Sequence, residues 1–84
     1  MDKEEINDLI TKKIAENRNV IEIRYYEMKI ARNLTDTQLY SSLHLISEKL
    51  EQLGYKIYRT GKEFYYQGQR YKVEDNVLMI GVKE

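Results

Sequence analysis

Residues 34–55 read LTDTQLYSSLHLISEKLEQLGY, and both ends of a helix are written into them. Thr35 offers a side-chain oxygen to the first free backbone amides, and Gln38 follows at the three-residue spacing of a capping box. Leu34 and Leu39 have the spacing of a hydrophobic staple across that start. Leu39, Leu43, Ile46, Leu50 and Leu53 recur at steps of four and three, drawing one apolar stripe down the helix. Gly54 stands where a left-handed residue ends a helix without a Cβ clash, with Leu50 and Tyr55 placed to touch across the close. A helix with one apolar stripe needs a surface to lie on, and the residues on either side of it supply strands.

Going back from Leu34, residues 20–31 carry a period of two. Ile21, Ile23 and Tyr25 alternate with Glu22 and Arg24, and Tyr26, Met28 and Ile30 alternate with Glu27 and Lys29. The phase slips between Tyr25 and Tyr26, which a strand absorbs with a bulge. A rival reading prolongs the preceding helix to about Arg32, since Ile21, Tyr25 and Met28 also fit helical spacing. β-Branched and aromatic residues crowd this stretch, and Asn17 and Asn19 stand at the joint, so the strand is the better reading. Before it, Asp2 and Glu5 repeat the capping signature, and Ile6, Leu9, Ile10 and Ile14 line one face of a first helix.

After Gly54 the chain predicts four short strands: Tyr55–Arg59, Glu63–Gln67, Gln69–Glu74 and Val77–Lys83, with turns at Thr60–Lys62, Gly68 and Asp75–Asn76. In the last of them Leu78, Ile80 and Val82 alternate with Val77, Met79 and Gly81, so both faces are apolar. Such a strand belongs inside a sheet covered on two sides, paired with the 20–31 strand. The expected fold is α+β: two helices packed on an antiparallel or mixed sheet of about five strands, in the order α-β-α-β-β-β-β.

Eighty-four residues form one domain, and 42% hydrophobic content with eight Tyr and one Phe suits a folded chain. Fourteen basic residues balance fourteen acidic ones, so no whole-molecule field draws the chain to nucleic acid or an anionic membrane. The absence of cysteine excludes disulfides, thiolate catalysis and the usual zinc sites. The longest apolar run, Val77–Val82, is far too short to span a bilayer, and the opening MDKEEINDL does not read as a secretory signal. A cytoplasmic location, with no membrane, cofactor or metal, is the expectation.

Little in the chain suits catalysis. His44, the one histidine, flanks the leucine stripe among Tyr40, Ser41, Ser47 and Glu48, which do not compose a nucleophile–base–orienter set. Glu48 and Glu51 read as a solvated helix side, and the four glycines never cluster into a phosphate-cradling loop. The expected class is non-catalytic.

The stretch YKIYRTGKEFYYQGQRYK, Tyr55–Lys72, has the strongest functional character. It holds six aromatic and five basic residues against one acid, Glu63. Alternation sends Ile57, Phe64, Tyr66, Tyr71 and Val73 inward as core and leaves a Tyr/Arg/Lys face outside. That face is the candidate binding surface: Tyr55, Lys56, Tyr58, Arg59, Lys62, Tyr65, Arg70 and Lys72, joined by Tyr25 and Tyr26 from the neighbouring strand. Tyr and Arg are enriched in protein–protein hot spots, so a partner protein fits this face. Cations interleaved with stacking rings also suit single-stranded nucleic acid. A further alternative is a winged helix, with Gln38, Ser41, Ser42 and His44 toward a major groove and Lys62 on the wing; the acids on that helix and the strand before it oppose this. An exposed edge strand could also make a homodimer.

Three segments add a resemblance: IRYYEMKIARNLTDTQ, LEQLGYKIYRTGKEFYYQGQ and VEDNVLMIGVK. They are similar to small uncharacterised proteins of bacteriophages and mobile elements of Gram-positive bacteria. Those carry an aromatic–Tyr–Glu strand, an N-L-S/T helix start, an L-G-Y-x-V/I-Y-x-T-G turn and an N-x-L-M closing segment. The likeness runs from about Ile23 to Lys83 and departs at Arg59 and Gly81, where a more hydrophobic residue and an alanine are expected. It implies a phage or prophage context and no chemistry. With that context comes an accessory or host-modulating protein that works by binding a partner protein, which makes a partner protein the first expectation.

Overall fold

The computed structural model describes residues 1–83. Helix α1 spans Lys3–Glu16, strand β1 Val20–Arg24, helix α2 Asp36–Gln52, and β2 to β5 span Tyr55–Arg59, Glu63–Tyr66, Gln69–Lys72 and Val77–Lys83. The fold is α+β, with two helices on antiparallel strands in the expected order. The strands divide into a three-stranded sheet, β1-β5-β2, and a separate ribbon, β3-β4. β5 is central, as its two apolar faces require.

Both helices begin with complete capping boxes. Asp2 Oδ1 accepts from the Glu5 amide at 2.8 Å, and Thr35 Oγ1 from the Gln38 amide at 3.2 Å, with Gln38 Oε1 accepting from the Thr35 amide at 2.9 Å. α1 does not run on toward Arg32, because Asn17 Oδ1 accepts from the amides of Asn19 and Val20 at 3.0 and 3.2 Å and turns the chain into β1. Gly54 closes α2 at φ +95°.

The expected strand over residues 20–31 is corrected. β1 ends at Arg24, and Tyr26–Ile30 form one π-helical turn. The physical reason is that the partner strand runs out: the Tyr25 amide still donates to the Asn76 carbonyl at 2.9 Å, but β5 begins at Val77. Glu27 holds the turn that follows, its Oε1 accepting from the outward Arg24 amide at 3.3 Å and its Oε2 pairing with Lys13 Nζ at 2.5 Å. Of the second apolar set only Met28 is buried, while Tyr26 and Ile30 face solvent. The bulge lies elsewhere, in β5. Ile23 pairs with Met79 but Arg24 with Val77, which leaves Leu78 as the extra residue. Leu78 and Met79 therefore pack on the helix side, and Val77 joins Ile80 and Val82 on the other.

Two cores result. The larger lies between the helices and the sheet and contains Ile6, Leu9, Ile10, Ile21, Ile23, Met28, Leu39, Leu43, Ile46, Leu50, Tyr55 and Met79. Leu53, placed on the stripe by spacing, is exposed past the end of α2. The smaller core lies under the ribbon, where Phe64 and Val73 meet Val77, Ile80 and Val82, with Val20, Tyr58 and Tyr66 half-buried around them. The layers are thus helices, sheet and ribbon.

Candidate binding cleft

The ribbon alternates strictly. Phe64 and Tyr66 of β3 and Tyr71 of β4 turn toward the sheet, whereas Glu63, Tyr65 and Arg70 turn away. Its Gln67-Gly68 loop has both residues at positive φ, +53° and +79°, the two-residue turn whose twist matches a hairpin. Inward-facing rings make a continuous stack. Tyr58 and Phe64 have centroids 4.7 Å apart, and Phe64 and Tyr71 5.4 Å apart, at interplanar angles of 26° and 18°.

Beside β1 the ribbon leaves the sheet's second face open as a cleft of about 410 Å³. Its floor is apolar, made by Val20, Val77 and Ile80; Phe64, Tyr66 and Tyr71 form an aromatic wall. The rim carries Asn17, Glu22, Arg24 and Glu74. Arg24 and Glu22 are paired at 2.5 Å, while Glu74 has no ion-pair partner among the described residues. Concave apolar surface with a few polar groups at its mouth is the general form of a binding site.

β1 is an edge strand, and its free side borders this cleft. The Lys83 amide donates to the Asn19 carbonyl at 2.8 Å, so in an antiparallel ladder Ile21 and Ile23 also face β5, and Val20, Glu22 and Arg24 turn their backbone groups outward. Asn17 and Glu27 cap the outward amides of Val20 and Arg24. The Glu22 amide between them has no partner among the described residues.

The ten residues proposed from the sequence do not form one surface. Tyr55 is only 4% exposed; its hydroxyl donates to the Arg18 carbonyl, and Lys83 Nζ lies 5.5 Å from its ring centroid. It belongs to the main core, because odd positions of β2 face the helices. Arg59 shares that parity and reaches Ser47 Oγ of α2 at 3.5 Å, on the opposite sheet face from Tyr58. Lys56 lies with Tyr58, its Nζ 5.6 Å from that ring centroid. Lys62 is exposed in the turn before the ribbon. Tyr65, 72% exposed, and Arg70 stand on the ribbon's outer side, and Lys72, opposite Glu63, turns the same way while its strand borders the cleft. Tyr25 and Tyr26 are exposed but belong to the π-helical turn, not to a neighbouring strand; Tyr26 faces α1.

Arg70 is already engaged. Its Nε donates to Glu63 Oε2 at 3.0 Å and its Nη2 to Glu63 Oε1. This hydrogen bonding, with the guanidinium charge added, holds the Glu63 carboxyl below the usual carboxylate range and raises Arg70. His44 pairs with Glu48 at 2.9 Å on the exposed side of α2, and Ser42 is buried and unable to reach a groove. Among the described residues no three His, Asp or Glu side chains converge on a metal position, and no helix is long and apolar enough to cross a membrane.

Sequence reasoning missed Val20, Glu22, Arg24, Glu74, Val77 and Ile80 as cleft residues. The available signal was the two-faced apolar pattern of Val77–Lys83, which demands a second cover; a two-stranded ribbon is too narrow to cover three strands. Comparison with protein-family models, curated proteins and solved structures returns no match.

Proposed function

We propose that this protein is a small non-catalytic interaction module that binds an extended segment of a partner protein in the cleft between β1 and the β3-β4 ribbon. The observation that carries the proposal is the union of an apolar floor, an aromatic wall and an adjoining strand edge at one place. An extended segment can present alternate side chains to Val20, Tyr66 and Tyr71 while its backbone meets the open Glu22 amide, the manner of β-strand addition. Glu74 and the Glu22–Arg24 pair offer polar groups at the rim. The resemblance to phage and mobile-element proteins supports reading the module as an accessory or host-modulating protein, with a cytoplasmic partner in a Gram-positive host.

The single-strand nucleic-acid reading has less support. Tyr58, Phe64 and Tyr71 stack on one another rather than standing free for bases, and Arg59 and Arg70 are held on different surfaces. Affinity capture from a Gram-positive host lysate should retain one dominant protein, lost when Tyr66→Ala and Tyr71→Ala are combined and kept when Tyr65→Ala is introduced. Retention that ignores the cleft variant, or that vanishes on nuclease treatment, removes the proposal.

A further inference from the structure

The sheet has a second free edge, and it differs from the first. On β5, Lys83 and Gly81 face β1, so Val82 and Ile80 face β2, where they pair with Lys56 and Tyr58. Tyr55, Ile57 and Arg59 consequently turn their backbone amides and carbonyls to the open side, where the Arg59 carbonyl already accepts from the Lys62 amide at 3.1 Å and keeps its second lone pair. Whereas β1 is capped by the side chains of Asn17 and Glu27, no side chain among the described residues meets the outward groups of Tyr55 or Ile57. A shallow groove lined by Glu51, Gly54, Tyr55, Lys56 and Ile57 runs along this edge. An open row of backbone donors and acceptors is a template for another strand.

The side chains specify which strand. Glu51 and Arg59 carry opposite charges at opposite ends of the β2 edge, and neither has an ion-pair partner among the described residues. A two-fold axis through Ile57 pairs Tyr55 of one copy with Arg59 of the other and brings each Arg59 to the other copy's Glu51. On the opposite face it sets Lys56 against Tyr58, the same cation–ring contact that these residues make within one chain at 5.6 Å. No like charges oppose each other in this register. Shifting the axis to residue 56 would set Lys56 against its own copy.

We propose that two copies of this chain associate antiparallel through their β2 edges about a two-fold axis at Ile57, joining two three-stranded sheets into one of six. The cleft beside β1, at the far edge, stays open in the dimer. Five residues a side give less contact than a standard stable interface, so the association is weak and depends on concentration.

The test is amide hydrogen exchange with sedimentation velocity on the intact chain, from about 20 µM to about 1 mM, the range that brackets so small an interface. The Ile57 amide should gain protection as concentration rises, with the Glu22 amide unchanged. Arg59→Glu, on an exposed side chain, should keep the circular dichroism of the parent and weaken association at least about ten-fold, and Glu51→Arg added to it should restore association, as expected of one close charge pair. Absence of association at about 1 mM, protection gained at Glu22 instead, or an Arg59→Glu variant that associates as tightly as the parent would overturn the proposal.

Discussion

Replacing Phe64 by alanine removes the ring at the centre of the smaller core. Phe64 is buried, stacks on both Tyr58 and Tyr71, and joins the ribbon to Val77, Ile80 and Val82. Phe→Ala in a core costs about 3–5 kcal/mol, and each lost aromatic pair contributes about 0.5–1.5 kcal/mol within that range. The smaller core is shallow and bordered by half-buried Tyr58 and Tyr66, so the lower end, about 3 kcal/mol, applies. Only Val73 is otherwise fully buried from the ribbon side, and a two-stranded ribbon has marginal stability alone. Phe64→Ala should therefore release the ribbon while the helix-side core persists. In native-state amide exchange, residues 63–72 should lose protection and residues 43–50 should keep most of theirs. Tyr65→Ala, on the solvent side of the same strand, should stay within about 0.5 kcal/mol of the parent. A Phe64→Ala protein that loses less than about 1 kcal/mol, or whose α2 amides open as fully as those of the ribbon, would refute this two-core account.

Gln67 holds a positive φ without the help of a glycine or asparagine, so Gln67→Asn should raise stability by about 0.5 kcal/mol in a denaturant titration. A Cβ at Gly81 would lie 3.4 Å from the side-chain ends of Leu50 and Ile57, so Gly81→Ala should be tolerated or mildly stabilising, while Gly81→Val should cost about 1–3 kcal/mol by overpacking. The Glu63 carboxyl, depressed by Arg70, should titrate below an ordinary glutamate in a carboxyl-carbon NMR titration and return to the ordinary range in Arg70→Ala. Because its folded pKa is the lower one, the pair's contribution is present above the unfolded carboxylate pKa and is lost as pH falls through the depressed value.

The helices were legible because their signals are local. Thr35 with Gln38 and Asp2 with Glu5 lie three residues apart, and the leucine stripe of α2 repeats within single turns. The central place of Val77–Lys83 was legible from its composition alone. What sequence could not supply depended on distant partners. β1 ends where its partner strand does, past the Tyr25–Asn76 bond, and the turn that follows is held by Glu27, which pairs with Lys13 of α1. The position of the bulge, at Leu78 rather than near Tyr25, follows from how two strands meet. Tyr55 looked like one more surface tyrosine because its neighbours are basic, yet its hydroxyl finds the Arg18 carbonyl across 37 positions of sequence. The candidate face was split by the same parity: Tyr58 and Arg59 are adjacent in the chain and lie on opposite sides of the sheet.

The most direct test of the binding proposal selects extended peptide ligands from a random display library and maps the bound peptide on the protein by NMR. The cleft account predicts shifts concentrated at Val20, Glu22, Tyr66 and Tyr71, with the Glu22 amide newly protected from exchange. Shifts concentrated at Tyr65 and Arg70 on the ribbon's outer side, with Glu22 exchanging as before, would contradict it.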